Sequence, residues 1–418
     1  MSTAPAALGR LPADVPSART ENATMAIVGI AHGTSHFFHL TLAPLFPWLK
    51  DAFSLSYSEL GLLVTVFFII SGIGQALSGF LVDRVGAWPV MMGALGSFVL
   101  AACVLAAAPG YSGLMLGAVL CGIGNAPFHP VDYSILNARI SPTRLGKAYA
   151  IHGVSGSLGW ALAPVLLATV AQFAGWRAAF LAAGLVALSV MGAVWKYRAL
   201  MQGVGGAGSA AHAAASAPGA STFGFLRLPA VWMSFGFFFS WAAALGGVLT
   251  FGPEAARVLH AVPLSWVATC VTVFMLGSAG GMLIGGYLVE DPSRADRVVA
   301  VSLGVATVFA LLIGWTQWPA WTVPPLFALM GLGMGLAGPS RDLLVKRATP
   351  PGATGRVYGM VYSGLDIGMS VSPTLFGLMM DANHPAWVWV GIALFQGALI
   401  GSALNIGRMT GRRPAVAA

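Results

Sequence analysis

The segment Val64-Thr65-Val66-Phe67 returns 207 residues later as Val271-Thr272-Val273-Phe274. The same offset carries Gly74 to Gly281, Gly79 to Gly286 and the acid Asp83 to the acid Glu290. Further on, an offset of 209 takes Gly122, Gly124 and Pro130 to Gly331, Gly333 and Pro339. It also takes Gly146-Lys147-x-Tyr149 to Gly355-Arg356-x-Tyr358. A chain that repeats over half its length is built from two like halves. Composition says of what kind: 57% of the residues are hydrophobic and 8% charged, against roughly a quarter charged in a soluble domain.

A spanning helix needs about 20 apolar residues. Runs of that length fall near 25–48, 57–82, 88–108, 112–137, 147–173 and 177–199, then near 223–250, 264–289, 297–316, 322–345, 356–380 and 385–407. The expectation is an all-α membrane protein with twelve transmembrane helices in two six-helix pseudo-repeats, the build of many secondary transporters. Residues 1–24 form an N-terminal tail, 25–199 the first half, 200–222 a linker, 223–407 the second half and 408–418 a C-terminal tail. The stretch 201–222 is low-complexity Gly, Ala and Ser and reads as flexible.

Basic residues orient the chain. With both termini cytoplasmic, 18 of the 21 Lys and Arg lie on the cytoplasmic side, and Lys50, Arg177 and Arg257 lie outside. The net charge of +8 is therefore a topology signal. Nucleic-acid binding would need a basic soluble domain, and the sequence has none. A retained multi-pass protein of the inner (plasma) membrane follows, bacterial and expected to work as a monomer. Cys103, Cys121 and Cys270 lie within spans and set up no disulfide framework or zinc spacing. No phosphate-binding Gly-Lys motif occurs, so an ion or substrate gradient is the expected energy source. No cofactor and no enzyme activity are expected.

After the second span comes Gly79-Phe-Leu-Val-Asp83-Arg84-Val-Gly86. It resembles the signature loop of the major facilitator superfamily and departs from it at Ala87 and Trp88, where the family has basic residues. The resemblance implies a gating latch. Asp83, at a helix end, would accept from the start of the eleventh span near Gly355 and Arg356, where helix amides are free. Arg84 and Glu290 belong to the two copies of this loop, and Arg139 is a second partner for Asp83. Arg341, at the repeat position of Asp132, would pair across the halves on closure, or instead snorkel to the interface.

His32-Gly-Thr-Ser35-His36-Phe-Phe-His39 and Gly122-Ile-Gly124-Asn125-Ala-Pro-Phe128-His129-Pro130 resemble the first and fourth helices of the fosmidomycin-resistance-type branch. There the His on the first helix precedes an Asn-Asp pair; here Ser35 and His36 take those places. The acid that follows Phe-His-Pro is displaced to Asp132.

The residues support a site without the resemblance. His32, His36 and His39 share one helical face, as do Asn125, His129 and Asp132. At about 1.5 Å per residue the two stripes reach similar depth. Ionisable groups in a bilayer are costly and face protein or a water-filled cavity. A proton route through His32, His129 or Asp132 is therefore expected, with Asp366, mid-span in the eleventh helix, next. The bland alternative is that these groups are hydrogen-bonded packing residues. Three His on one helix cannot all reach one ion, and His32 and His36 lack the Glu of a zinc-protease helix, so no metal site is expected.

Gly153-Val-Ser-Gly156-Ser-Leu-Gly159-Trp-Ala-Leu-Ala163-Pro164 resembles the antiporter motif of drug exporters, with Ala163 in place of a Gly. The expected function is proton-coupled export of a small organic compound or drug by alternating access. Proton-coupled import of an organic acid or similar nutrient is the alternative.

Overall fold

In a computed structural model, the structure describes residues 17–205, 229–288, 295–348 and 354–411. Within these ranges, the side chains at 230, 287, 288, 295, 341–362 and 405–411 are outside the description. Most of the expected linker, both chain ends and Glu290 lie outside the described residues, as do the side chains of Arg341 and Arg356.

Fourteen helices occur among the described residues. The first half holds α1 (Ala18–His39), α2 (Phe46–Phe53), α3 (Tyr57–Val85), α4 (Ala87–Ala107), α5 (Tyr111–Asn125), α6 (Phe128–Arg139) and α7 (Leu145–Lys196). The second half holds α8 (Pro229–Thr250), α9 (Gly252–His260), α10 (Leu264–Leu288), α11 (Ala295–Trp315), α12 (Val323–Ala348), α13 (Thr354–Asp381) and α14 (Pro385–Gly411). Among the described residues, nine helical stretches are long and apolar enough to cross a bilayer. One of them, α7, is 52 residues long and folds back at Gly175 (φ 83°), a left-handed backbone that glycine adopts without steric cost. It supplies the fifth and sixth spans. The more polar α1 and α13, of 22 and 28 residues, complete the twelve. The fourth span is broken: α5 stops at Asn125, and α6 restarts beyond Pro127.

The repeat is physical as well as textual. A Cβ on Gly122 would meet the Phe67 carbonyl, and one on Gly331 the Phe274 carbonyl; these are the same contact in the two halves. The short helices α2 and α9 both end on a left-handed residue, Ser54 (φ 53°) and Ala261 (φ 51°), again 207 residues apart. The repeated Val-Thr-Val-Phe segment forms the seam between the halves. Thr65 on α3 donates to the Ser370 carbonyl on α13 at 2.5 Å, and its repeat mate Thr272 on α10 donates to the Ala161 carbonyl on α7 at 2.8 Å.

The halves meet along α3 with α13 and along α7 with α10. Near the face that carries α2 and α9 the seam is closed. Gly61 lets α3 press on the Pro373 carbonyl, Phe46 and Tyr57 pack on Phe251, and the Tyr57 hydroxyl donates to Glu254 at 3.0 Å. Toward the other face, which bears the α3–α4 turn, contacts thin out. Gly72 still faces Asp366, but among the described residues nothing lies within 4 Å of a Cβ built on Gly79, Gly146 or Gly153. Among the described residues, the gap between the halves therefore opens toward the basic α3–α4 face and is shut on the opposite one. Segment 198–205 is tucked beneath the α3–α4 turn, with Met201 fully buried and Ala87 N–H donating to the Val204 carbonyl at 2.9 Å.

Candidate functional site

The break in the fourth span turns α6 so that its polar face meets α1 and α7. Five of the chain's eight histidines gather there. His32, His36 and His39 come from α1, His129 from α6 and His152 from α7. The His32 ring lies 3.5 Å from His152, 4.4 Å from His36 and 5.5 Å from His129, centroid to centroid. Gly156 makes the room: a Cβ there would stand 2.8 Å from His36 and 2.9 Å from His32.

Hydrogen bonds assign most of the tautomers. Asn125 Oδ1 accepts from Ser35 at 2.5 Å, and its amide donates to Ser71 at 2.7 Å. His39 Nε2, 2.9 Å from the same Oδ1, therefore carries its proton, and its Nδ1 accepts from Trp160 at 3.3 Å. His32 Nδ1 donates to the His152 carbonyl at 2.9 Å, since a carbonyl can only accept. His152 Nε2 donates to Asp132 Oδ2 at 3.0 Å. On the gap side, the Gln75 amide donates to Asp366 Oδ2 at 3.5 Å, which points its oxygen at His129 Nδ1, 3.0 Å away. Gln75 thus joins the histidine wall of the first half to the mid-span acid of the second. Four buried atoms of the network have no partner among the described residues: His32 Nε2, both ring nitrogens of His36, and Asp132 Oδ1.

Among the expected residues, His32, His36, Asn125, His129 and Asp132 are therefore brought together, and Asp366 is linked to them through Gln75. Asp132 is wholly buried behind His152, whereas Asp366 is partly exposed to the gap. Asp83 and Arg84 lie apart from the network, exposed at the end of α3, with no hydrogen-bond or ion-pair partner among the described residues. Arg139 donates to the Gln202 carbonyl, on the segment beneath that turn. His152 was missed by the sequence reading, although it is the one titratable residue in the interior of an otherwise apolar fifth span. Gln75, Ser71 and Trp160 carried no sequence signal of their own.

Outside the network, two acids hold the ends of the first half. Glu21 accepts from Ser141 N–H at 2.7 Å and from Arg144 at 2.5 Å; the Ser141 amide first, and then Arg144, hold its carboxyl below the usual range. On the closed face Asp381 accepts from Tyr57 N–H at 2.7 Å and Ser58 N–H at 2.8 Å. Burial raises its carboxyl, but these contacts outweigh burial and leave it below the usual range.

The family model of the Major Facilitator Superfamily matches residues 26–373 and 261–406. The chain belongs to the Major Facilitator Superfamily. It is thus a multi-pass membrane protein of a transporter family. Over 172 residues it is 28% identical to the fosmidomycin resistance protein of Escherichia coli, covering 41% of this chain and 42% of that one. It is 24% identical to the probable L-galactonate transporter of the same organism, covering 84% and 82%. It is 23% identical to the methylenomycin A resistance protein of Bacillus subtilis, covering 86% of each. The chain spans about two-fifths of the length of the first curated relatives it matches. Its fold is that of a bacterial homolog to human lysosomal transporter Spinster, solved in an inward-facing and unoccupied conformation: TM-score 0.73, 17% identity, 96% of this chain and 100% of that one.

Proposed function

We propose that this transporter exports a small organic compound in exchange for protons, with both termini and the basic α3–α4 face in the bacterial cytoplasm. The observation that carries the reading is the link from the histidine wall through Gln75 to Asp366, at the point where the two halves separate. In this orientation the gap is inward-open. Cargo enters between the halves and meets His129 and Gln75 from one side and Asp366 from the other. Asp366 is the coupling acid: among the described residues, it is the carboxylate of the network that faces the gap. The wall formed by His32, His36, Asn125, His129 and Asp132 positions cargo opposite it.

Rocking the halves then closes the basic face and opens the other. Asp83, exposed in the inward-open state, latches the closed cytoplasmic ends through the α13 start near Arg356, and Arg84, Arg139, Glu290 and Arg341 are the further gating residues expected from the sequence. The two resistance proteins among the relatives support export. The L-galactonate transporter, matched over twice the share of this chain covered by the fosmidomycin relative, supports the second reading, import of a sugar acid with protons.

Everted vesicles separate the two. Respiration acidifies their lumen, and a compound added outside stands at the cytoplasmic face. Under exchange, fosmidomycin or methylenomycin A dissipates the pH gradient in proportion to protein present. Proton-coupled import instead lets L-galactonate loaded inside leave together with protons, and leaves the added drugs without effect. If no probe alters the gradient and uptake of each is the same with and without it, coupling to protons is wrong.

A further inference from the structure

Three histidines of one helix cannot all reach one ion, but two of them can be joined by a third from another helix. One ring nitrogen from each of His32 and His36 on α1 and His129 on α6 lies within 4.8 Å of the others. We propose that these three histidines form a binding site for a divalent first-row transition-metal ion of borderline softness, such as Zn²⁺ or Co²⁺. The inference goes beyond the transport reading and does not depend on the direction of transport or on proton coupling.

Three observations carry it. First, the nitrogens are oriented as ligands. The His152 carbonyl fixes the proton of His32 on Nδ1 and leaves the Nε2 lone pair free. The Gln75 oxygen does the same for His129. Metal-bound histidines have such a hydrogen-bond partner on the far nitrogen. Second, the inner positions are unspent. His32 Nε2 and both nitrogens of His36 are buried without any partner, and burying such groups unpaired is costly. Packing residues would have paired them. Third, the distances suit. Bonds of about 2.0–2.1 Å in a tetrahedral site put nitrogens about 3.4 Å apart, so small ring movements close the triad.

A second set, His32, Asp132 and His152, is equally close. In it His152 Nε2 is already spent on Asp132 Oδ2, and His32 Nδ1 on the His152 carbonyl; only His32 Nε2, shared with the first set, and Asp132 Oδ1 are left unpaired. That set is the support of the site, and its carboxylate contributes one negative charge beside the cation. Three imidazoles leave at least one coordination position open, and partly exposed His129 places the site at the edge of the gap. The ion can therefore reach it from the gap, and a cargo oxygen can complete its shell.

The test uses the full chain, purified through a histidine-free tag and held in lipid nanodiscs. Co²⁺ titration is expected to give one ion per chain and the intense visible bands of a tetrahedral site. Zn²⁺ should displace them and Mg²⁺ should not. His36→Gln and His129→Gln should weaken Co²⁺ binding at least tenfold, while His39→Gln, whose nitrogens are both committed to Asn125 and Trp160, should not. X-ray absorption on the Zn²⁺-loaded unaltered chain, which needs no variant to fold, should show three imidazoles at about 2.0 Å. Absence of the bands, equal binding in all three variants, or a shell with fewer than two imidazoles would overturn the site and leave water as the partner of these nitrogens. None of these results depends on proton movement, so failure here and failure of the exchange reading are distinct.

Discussion

Replacing Asp381 by Ala should open the closed face. The N-terminus of α3 has four amides without helical partners, as every helix does. Ser56 and Glu59 cap two of them by a reciprocal pair: Ser56 N–H to Glu59 at 2.8 Å, and Glu59 N–H to Ser56 at 3.1 Å. Those left, Tyr57 and Ser58, are capped by Asp381 from the other half. The cap is therefore complete only while the halves touch. Losing a capping side chain costs about 0.5–2 kcal/mol. Asp381 is exposed and partly screened, so about 0.5–1.5 kcal/mol of closure is at stake, roughly a 2- to 13-fold change in the open population.

The readout is a cysteine at Val271, only 4% exposed, on a background with the three native cysteines removed. Labelling by a membrane-impermeant maleimide from the α2–α9 face should accelerate roughly 2- to 13-fold in Asp381→Ala, and less in Asp381→Asn, which keeps one acceptor oxygen. The pH dependence follows from the sign of the shift. A carboxyl held below its usual value by closure stabilises closure above that value, and the effect is lost only as pH falls through the depressed one. The mutant-to-parent ratio should therefore stay constant between pH 5 and 8. An unchanged rate in Asp381→Ala would refute the clamp.

The repeat mate of Asp381 is Gln172, 209 residues earlier, beside the α10 start at Leu264 and Ser265. Gln172→Asp should install a second clamp and slow the same labelling severalfold. Gly156→Leu should crowd His36 and His32 and destabilise the fold by about 1–3 kcal/mol, seen as a lower melting temperature in detergent; Gly153→Ala, which meets nothing within 4 Å, should not. Glu21→Gln should lower the melting temperature by loosening α1 from the α6–α7 turn. Asp366→Asn should abolish pH-driven transport with melting unchanged, and the same loss in an equally stable Asp132→Asn would move the coupling acid into the first half.

The twelve spans and the two halves were legible because the bilayer imposes a length and a polarity on each helix, and the 207-residue offset survives even in the caps at Ser54 and Ala261. The two polar stripes were legible because histidine in an apolar run is conspicuous. Their assembly was not. Periodicity names the face of a helix but not its neighbour, and the bonds that matter join residues far apart in sequence, as from His32 to His152 and from Gln75 to Asp366. The same blindness hid the third imidazole beside His32 and His36. Tyr57, Glu254 and Asp381 carry no motif in the sequence, and only the closed seam brings them together.

Alternating access is the central claim, and paired spin labels test it without a known cargo. Lys196→Cys with Arg297→Cys reports the basic face, and Asp51→Cys with Ala382→Cys the opposite face, all exposed positions. In nanodiscs, Asp381→Ala or a change of pH should lengthen the second distance and shorten the first in the same fraction of molecules. If both distances lengthen together, or the basic-face distance never shortens, the halves do not rock and the account is contradicted.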